Sequence, residues 1–171
     1  MGKKLGLVAI FLVLIMLAAY LGFDRLGGNN PVAIRKIETN PESLAGRNFS
    51  GIPQDEKLAL IFQEMETLKG LHPGTFIHTI YEVEPGGKLD TMIVFIGINQ
   101  ALPLGDLKFR KFEEQSYLLA KITGNRWVMP GPDTVKATLE NYAKENGLSL
   151  SGVFIDKIIS EDEVQVIAPI R

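Results

Sequence analysis

Three hydrophobic patterns succeed one another along the chain. The first is unbroken: residues 5–23, LGLVAIFLVLIMLAAYLGF, contain no charge. At ~1.5 Å per helical residue, such a run nearly crosses a hydrocarbon layer of roughly 30 Å. A helix buried in a soluble core would show a polar stripe, and this run has none. The second pattern has helical period. Over residues 54–69, Leu58, Ile61, Met65 and Leu68 recur at three- and four-residue spacing, with Pro53 at the start and Gly70 as the stop. Residues 132–146 repeat it with Val135, Leu139, Tyr142 and Ala143. Gly131 and Pro132 open that stretch, Asp133 sits at its positive end and Gly147 closes it. Lys136, Glu140 and Lys144 fall on the far face, where solvent is expected. The third pattern is that of strands. Residues 75–84 and 90–98 flank Pro85-Gly86-Gly87, and 153–159 and 164–168 flank Ser160-Glu161-Asp162. Each pair predicts a β-hairpin.

The first pattern predicts an uncleaved membrane anchor over residues 1–25. Lys3 and Lys4 would begin a signal peptide equally well, but the apolar run exceeds the ~7–15 residues of a secretory h-region. Ala18 and Ala19 lie inside the run and make a poor cleavage site, and the chain has no cysteine to take a lipid. Tyr20 and Phe23 would lie at the outer interface, where aromatic rings are favoured. Lys3 and Lys4 flank one end closely, whereas Asp24 and Arg25 follow the other. That bias predicts an N-terminus inside and a domain outside the cytoplasm.

Residues 26–31, LGGNNP, read as a flexible linker. The domain expected over 32–171 carries signs of duplication. Ile34-Arg35-Lys36-Ile37-Glu38 is similar to Phe109-Arg110-Lys111-Phe112-Glu113, seventy-five positions later. Ser43-Leu44-Ala45 to Ser50-Gly51 is similar to Tyr117-Leu118-Leu119-Ala120 to Thr123-Gly124. A helical stretch and two strand-like runs follow each. The expected fold is α+β: two β-α-β-β units pair their leading strands into one antiparallel sheet. Both helices cover one face, the other face is concave, and a transmembrane helix precedes the whole.

Composition removes several function classes. With no cysteine, thiolate metal sites, disulfides and cysteine nucleophiles are excluded. His72 and His78 are the only histidines, too few for a His-rich metal site. Beyond Lys4, sixteen basic residues face twenty acidic ones, so no basic surface predicts nucleic-acid binding. Gly27-Gly28 and Gly86-Gly87 do not open helices, and Glu161, Asp162 and Glu163 lack calcium-loop spacing, so no cofactor or metal is expected.

The order of motifs in the second half resembles a known family. Tyr117-Leu118-Leu119-Ala120-Lys121-Ile122-Thr123-Gly124 is followed by a helix ending Glu145-Asn146-Gly147. The chain then closes on Val166-Ile167-Ala168-Pro169-Ile170. This is similar to the GyrI-like (gyrase-inhibitor-like) small-molecule-binding domain, which also ends AraC-type and MerR-type multidrug regulators. The resemblance covers residues 32–171 and implies a cleft for a small compound. Family members often carry a Glu followed closely by Tyr before the last hairpin, the acid facing the pocket and pairing with cations. Here that strand reads Val153-Phe154-Ile155-Asp156-Lys157-Ile158: Asp156 is the nearest acid and the Tyr is missing. No helix-turn-helix precedes the domain, so a DNA-regulator role is not expected.

The candidate ligand-binding residues follow. Asp156 is a carboxylate in an apolar strand, able to pair with an ammonium or to be a surface acid beside Lys157. Trp127 lies in the loop before the second helix, either as a pocket rim or as a cap on the core. Tyr81, Tyr117 and Phe154, like Phe95, are strand aromatics that can serve core or pocket. His78 and Glu82 share a strand face but stand ~13 Å apart, too far for contact. Three functions compete: a membrane-tethered module whose concave sheet binds an amphipathic, cationic or aromatic compound; a hydrolase of small electrophiles; and a membrane-anchored interaction adaptor with an unidentified protein partner.

Overall fold

The computed structural model describes residues 2–171, with side-chain surroundings at Val8 and from Ile10 onward. The chain opens with helix α1 (Gly2–Arg25). Its described apolar side chains, among them Ile10, Phe11, Leu14, Leu17, Tyr20 and Leu21, are exposed. Among the described residues no helix is long and apolar enough to cross a membrane. The uncharged run at 5–23 extends over positions 5–7 and 9, whose side chains lie outside the described set.

The segment after α1 is held more firmly than a flexible linker. Leu26 N–H donates to the Gly22 carbonyl (3.0 Å) and Gly28 N–H to that of Phe23 (2.9 Å). Asn125 N–H donates to the Leu26 carbonyl (2.7 Å), and Asn30 Nδ2 to that of Thr123 (2.9 Å). The last two bonds tie the segment to the end of β6 and the loop that follows it.

The domain runs β1 (Ala33–Ile37), β2 (Leu44–Gly51), α2 (Glu56–Leu71), β3 (Ile77–Val83), β4 (Met92–Asn99) and β5 (Lys108–Arg110). It continues with β6 (Ser116–Thr123), α3 (Pro132–Glu145), β7 (Ile155–Ser160) and β8 (Glu163–Ile170). All eight strands join one antiparallel sheet, ordered β1-β6-β8-β7-β3-β4-β2-β5. The seventy-five-residue offset is visible in the register. Ile34 pairs with Ala120 and Phe109 with Ala45; Arg35 pairs with Leu119 and Arg110 with Leu44. Each leading arm, β1 or β5, therefore crosses to the other half and covers the edge of its first full strand. The expected pairing of leading strands with each other is corrected: the seam between halves is β3–β7, where His78 faces Lys157. Covering β2 and β6 with the arms leaves the inner hairpin strands to meet at the centre.

Both helices lie on one face, as their single apolar stripes require. Met65 of α2 is fully buried against Ala45, Phe49, Val94, Ile96 and Ile98, with Leu58, Ile61 and Leu68 partly buried beside it. Val135, Leu139 and Ala143 of α3 pack on Leu118, Ala120, Ile122, Val166 and Ala168. The α2 boundaries differ slightly from the pattern. Asp55 is the cap, its carboxylate accepting from Lys57 N–H at 2.9 Å, and the helix continues through Gly70 to Leu71.

The face away from the helices is filled. Leu44, Ile80, Phe95, Leu119, Ile155 and Ile167 form a third buried cluster drawn from both halves. The Arg110 guanidinium lies 4.5 Å over the Phe95 ring, and Ile37, Phe112, Tyr117 and Val153 pack around the cluster. An open ligand cleft on that face is therefore corrected: apolar side chains from both halves occupy it.

Candidate functional site

Residue alternation along β7 and β3 places the site on the helix face. One row across the sheet reads Ile34, Ala120, Val166, Asp156, Thr79, Ile96, Arg47. Within it Asp156 and Thr79 are a polar pair between two apolar neighbours, beside the seam. At the far end Arg47 turns to α2, where its Nε lies 2.7 Å from Glu64 Oε2. That pairing shows which side the row faces.

Over the polar pair α2 and α3 leave a cleft of about 530 Å³, lined by Phe62, Thr79, Tyr81, Glu84, Asp133 and Asp156 among others. A smaller cavity of about 160 Å³ shares Asp156 and is bounded by Met129, Pro130, Val135 and Lys136. A larger depression of about 760 Å³ at residues 111–116 is open and lined by a charged, exposed to half-buried run of chain away from both helices' seam with the sheet. The physical chemistry therefore favours the cleft that contains Asp156.

Partial burial in the cleft alters its acids. Burial pushes the Asp156 carboxyl above the ordinary carboxylate range, while the nearby Lys136 ammonium and the Thr79 hydroxyl act in the opposite direction. Tyr81 is also pushed up, first by burial and then by the Asp156 charge. Lys136 forms an ion pair with Glu84, and its ammonium lies 5.5 Å over the Phe154 ring. With Glu84 matched by Lys136, Asp156 and Asp133 leave the lining negative. The cleft thus offers a positive ligand a carboxylate, an aromatic ring and apolar walls. Among the described residues no group of three or more metal-ligating side chains converges.

The sequence candidates separate in space. Asp156 and Tyr81 meet in the cleft, and β3 supplies the aromatic ring that β7 lacks. Phe154 packs beside Lys136 at the α3 side. Tyr117 lies on the opposite face, against the third cluster. Trp127 is 80% exposed and caps no core. The surface-acid reading of Asp156 beside Lys157 does not hold: Lys157 points to the other face, 2.6 Å from Glu42. Sequence reasoning passed over Thr79, Glu84 and Phe62, which carry no motif. It placed Lys136 in solvent, whereas the side chain bounds the smaller cavity beside Asp156 and pairs with Glu84. Its position next to Val135, within about 100° of the buried stripe, was the available signal.

A second polar group lies on the other face of the seam. His78 is buried, and its Nδ1 is 2.9 Å from the Phe76 carbonyl. Its Nε2 has no partner and stands 4.0 Å from Glu42. Glu42 is held by Lys157 at 2.6 Å and by Asn99 at 3.0 Å. Desolvation lowers the His78 pKa to about 4, Lys157 adds to the effect, and the Phe76 carbonyl and Glu42 oppose it.

No protein-family profile matches the sequence, and no curated protein matches it. Solved structures do resemble the fold. A structure described as a hydrolase from Listeria innocua superposes with a TM-score of 0.57 at 9% identity, over 82% of this chain and 92% of that one. An uncharacterised conserved protein from Listeria innocua gives 0.57 at 9% identity, over 81% and 92%. The EcmrR C-terminal domain gives 0.53 at 14% identity, over 82% and 97%. At such identities the likeness shows a shared fold: an α+β domain built on one antiparallel sheet, with the architecture of the EcmrR C-terminal domain.

Proposed function

We propose that the chain is a membrane-tethered small-molecule-binding module whose cleft takes an amphipathic cation, with α1 as the tether. The observation that carries the binding reading is the half-buried Asp156 carboxylate, set between apolar walls with Tyr81 at its side. A hydrophobic cation gains from such a site twice, through the ion pair in a low-dielectric cleft and through the aromatic face. The GyrI-like resemblance and the shared fold of the EcmrR C-terminal domain agree with a binding role. The tether reading rests on the uncharged run at 5–23 and on the exposed apolar side chains of α1. By the positive-inside bias, the domain would lie outside the cytoplasm.

Calorimetric titration of the full chain in detergent, with a hydrophobic ammonium compound and its neutral isostere, tests the binding reading. Asp156→Asn should weaken the ammonium compound by roughly 10–100-fold, as expected for loss of a charged hydrogen-bonding partner. Binding of the isostere should change little. A cation affinity unaffected by Asp156→Asn contradicts the reading.

A second reading, hydrolysis of small electrophiles, is favoured by one observation: the Asp156 carboxyl, raised above its ordinary range by burial, stands beside Tyr81 as a candidate proton donor. Turnover of a reactive ester or epoxide that Asp156→Asn abolishes, with Tyr81→Phe slowing it, would establish that reading over simple binding.

A further inference from the structure

Trp127 is the chain's single tryptophan, and it is 80% exposed. Exposure alone is ordinary, but its place in the fold is not. The loop between β6 and α3 presents it from a closed turn. Trp127 N–H donates to Asn125 Oδ1 (3.1 Å), and the N–H groups of Val128 and Met129 donate to the Asn125 carbonyl (2.9 and 3.1 Å). The base of the same turn is tied to the end of α1, through Asn125 N–H and the Leu26 carbonyl at 2.7 Å. The Phe23 ring packs on Gly28 so closely that a Cβ there would lie 2.3 Å from it, which keeps the helix end against this segment.

These contacts set a depth. If α1 ends its hydrocarbon passage at Phe23, Leu26 lies ~4.5 Å further along a helical axis. The polar layer of a bilayer is roughly 5–8 Å thick on each side. A turn hydrogen-bonded to Leu26 is then held within that layer. Its two outermost side chains match the environment. An indole ring favours the membrane interface. The Arg126 guanidinium, 4.9 Å over that ring, can meet lipid phosphate.

From this juxtaposition we infer that the β6–α3 loop is a second, lipid-facing contact, with the Trp127 ring seated among the headgroups beside the end of α1. The inference rests on the tether reading of α1. Glu161 and Asp162 lie on the adjoining turn, where the Asp162 carbonyl accepts from Gly124 N–H at 3.0 Å. Their charge opposes attraction to anionic lipid. The contact is therefore carried by the ring and forms on zwitterionic phosphatidylcholine.

The single tryptophan makes the test direct. The full chain is reconstituted into phosphatidylcholine vesicles, recovered by flotation, and its emission is compared with and without lipids brominated high on the acyl chain. The expected result is that floated protein loses most of its emission to the brominated lipid. It should also resist aqueous iodide far better than protein unfolded in denaturant. Floated protein whose emission ignores brominated lipid and falls freely with iodide overturns the lipid contact while leaving the tether intact. Protein that fails to float, or that alkaline wash releases, instead refutes the tether reading itself, and the lipid contact falls with it.

Discussion

At the scale of single residues, two titratable groups, half-buried Asp156 and buried His78, lie on opposite faces of the same seam, with opposite consequences. Asp156 has its folded pKa raised by burial, so the fold favours its protonated form. Its charge costs stability at neutral pH, and that cost disappears as pH falls through the raised pKa. Asp156→Asn in the unliganded protein should therefore raise Tm at neutral pH by a few degrees, for roughly 1 kcal/mol. The gain should vanish in acid. A lower Tm would make Asp156 a structural residue. His78 has its pKa lowered to about 4, so the fold favours neutral imidazole. Its contribution is complete above the unfolded pKa of 6.5 and is lost as pH falls from there through about 4. Lys157 and Glu42 are the charged groups that face it. Wild-type urea stability should drop across that window by on the order of 3 kcal/mol more than that of His78→Gln. Parallel pH profiles would contradict the assignment.

Among the elements, glycine positions distinguish packing constraint from helix punctuation. Gly46 of β2 pairs with Gly97 of β4, and a Cβ at Gly46 would stand 2.1 Å from the Ile96 carbonyl oxygen. Gly46→Ala must separate the two strands and should cost at least ~2 kcal/mol in urea denaturation. Gly70 lies inside α2 with nothing within 4 Å of its Cβ position. Gly70→Ala should stabilise by ~0.5–1 kcal/mol, since alanine loses less backbone freedom in a helix. The reverse pair of outcomes would contradict the strand packing and the helix boundary together. The repeat was legible because Ile34-Arg35 and Phe109-Arg110 keep both spacing and character. What escaped was the destination of those arms. Crossing to the other half depends on which edges need covering, and local periodicity carries no information about that.

For the molecule as a whole, two stripes on two helices were enough to place both helices on one face of a sheet. The sequence did not reveal where the cleft would open. A concave bare face was expected, yet Leu44, Phe95, Leu119 and Ile167 close it, and the opening lies between α2 and α3. Asp156 was readable as an acid out of place in an apolar strand. Its partners were not, because Thr79 and Tyr81 reach it only through the β3–β7 register, and Lys136 only through the packing of α3. Trp127 stood out by its type, but its surroundings place it at the helix end of the domain rather than at the cleft.

The central claim is that Asp156 in this cleft recognises positive charge. The affinity of the full chain for a hydrophobic ammonium compound, followed against pH, tests it most directly. Wild-type affinity should hold at neutral pH and fall as acid protonates Asp156, beginning above the ordinary carboxylate range because burial raises its pKa. Asp156→Asn should bind weakly and with little dependence on pH over the same interval. A wild-type affinity that stays flat through that interval, or an Asp156→Asn profile that follows wild type, would contradict the account.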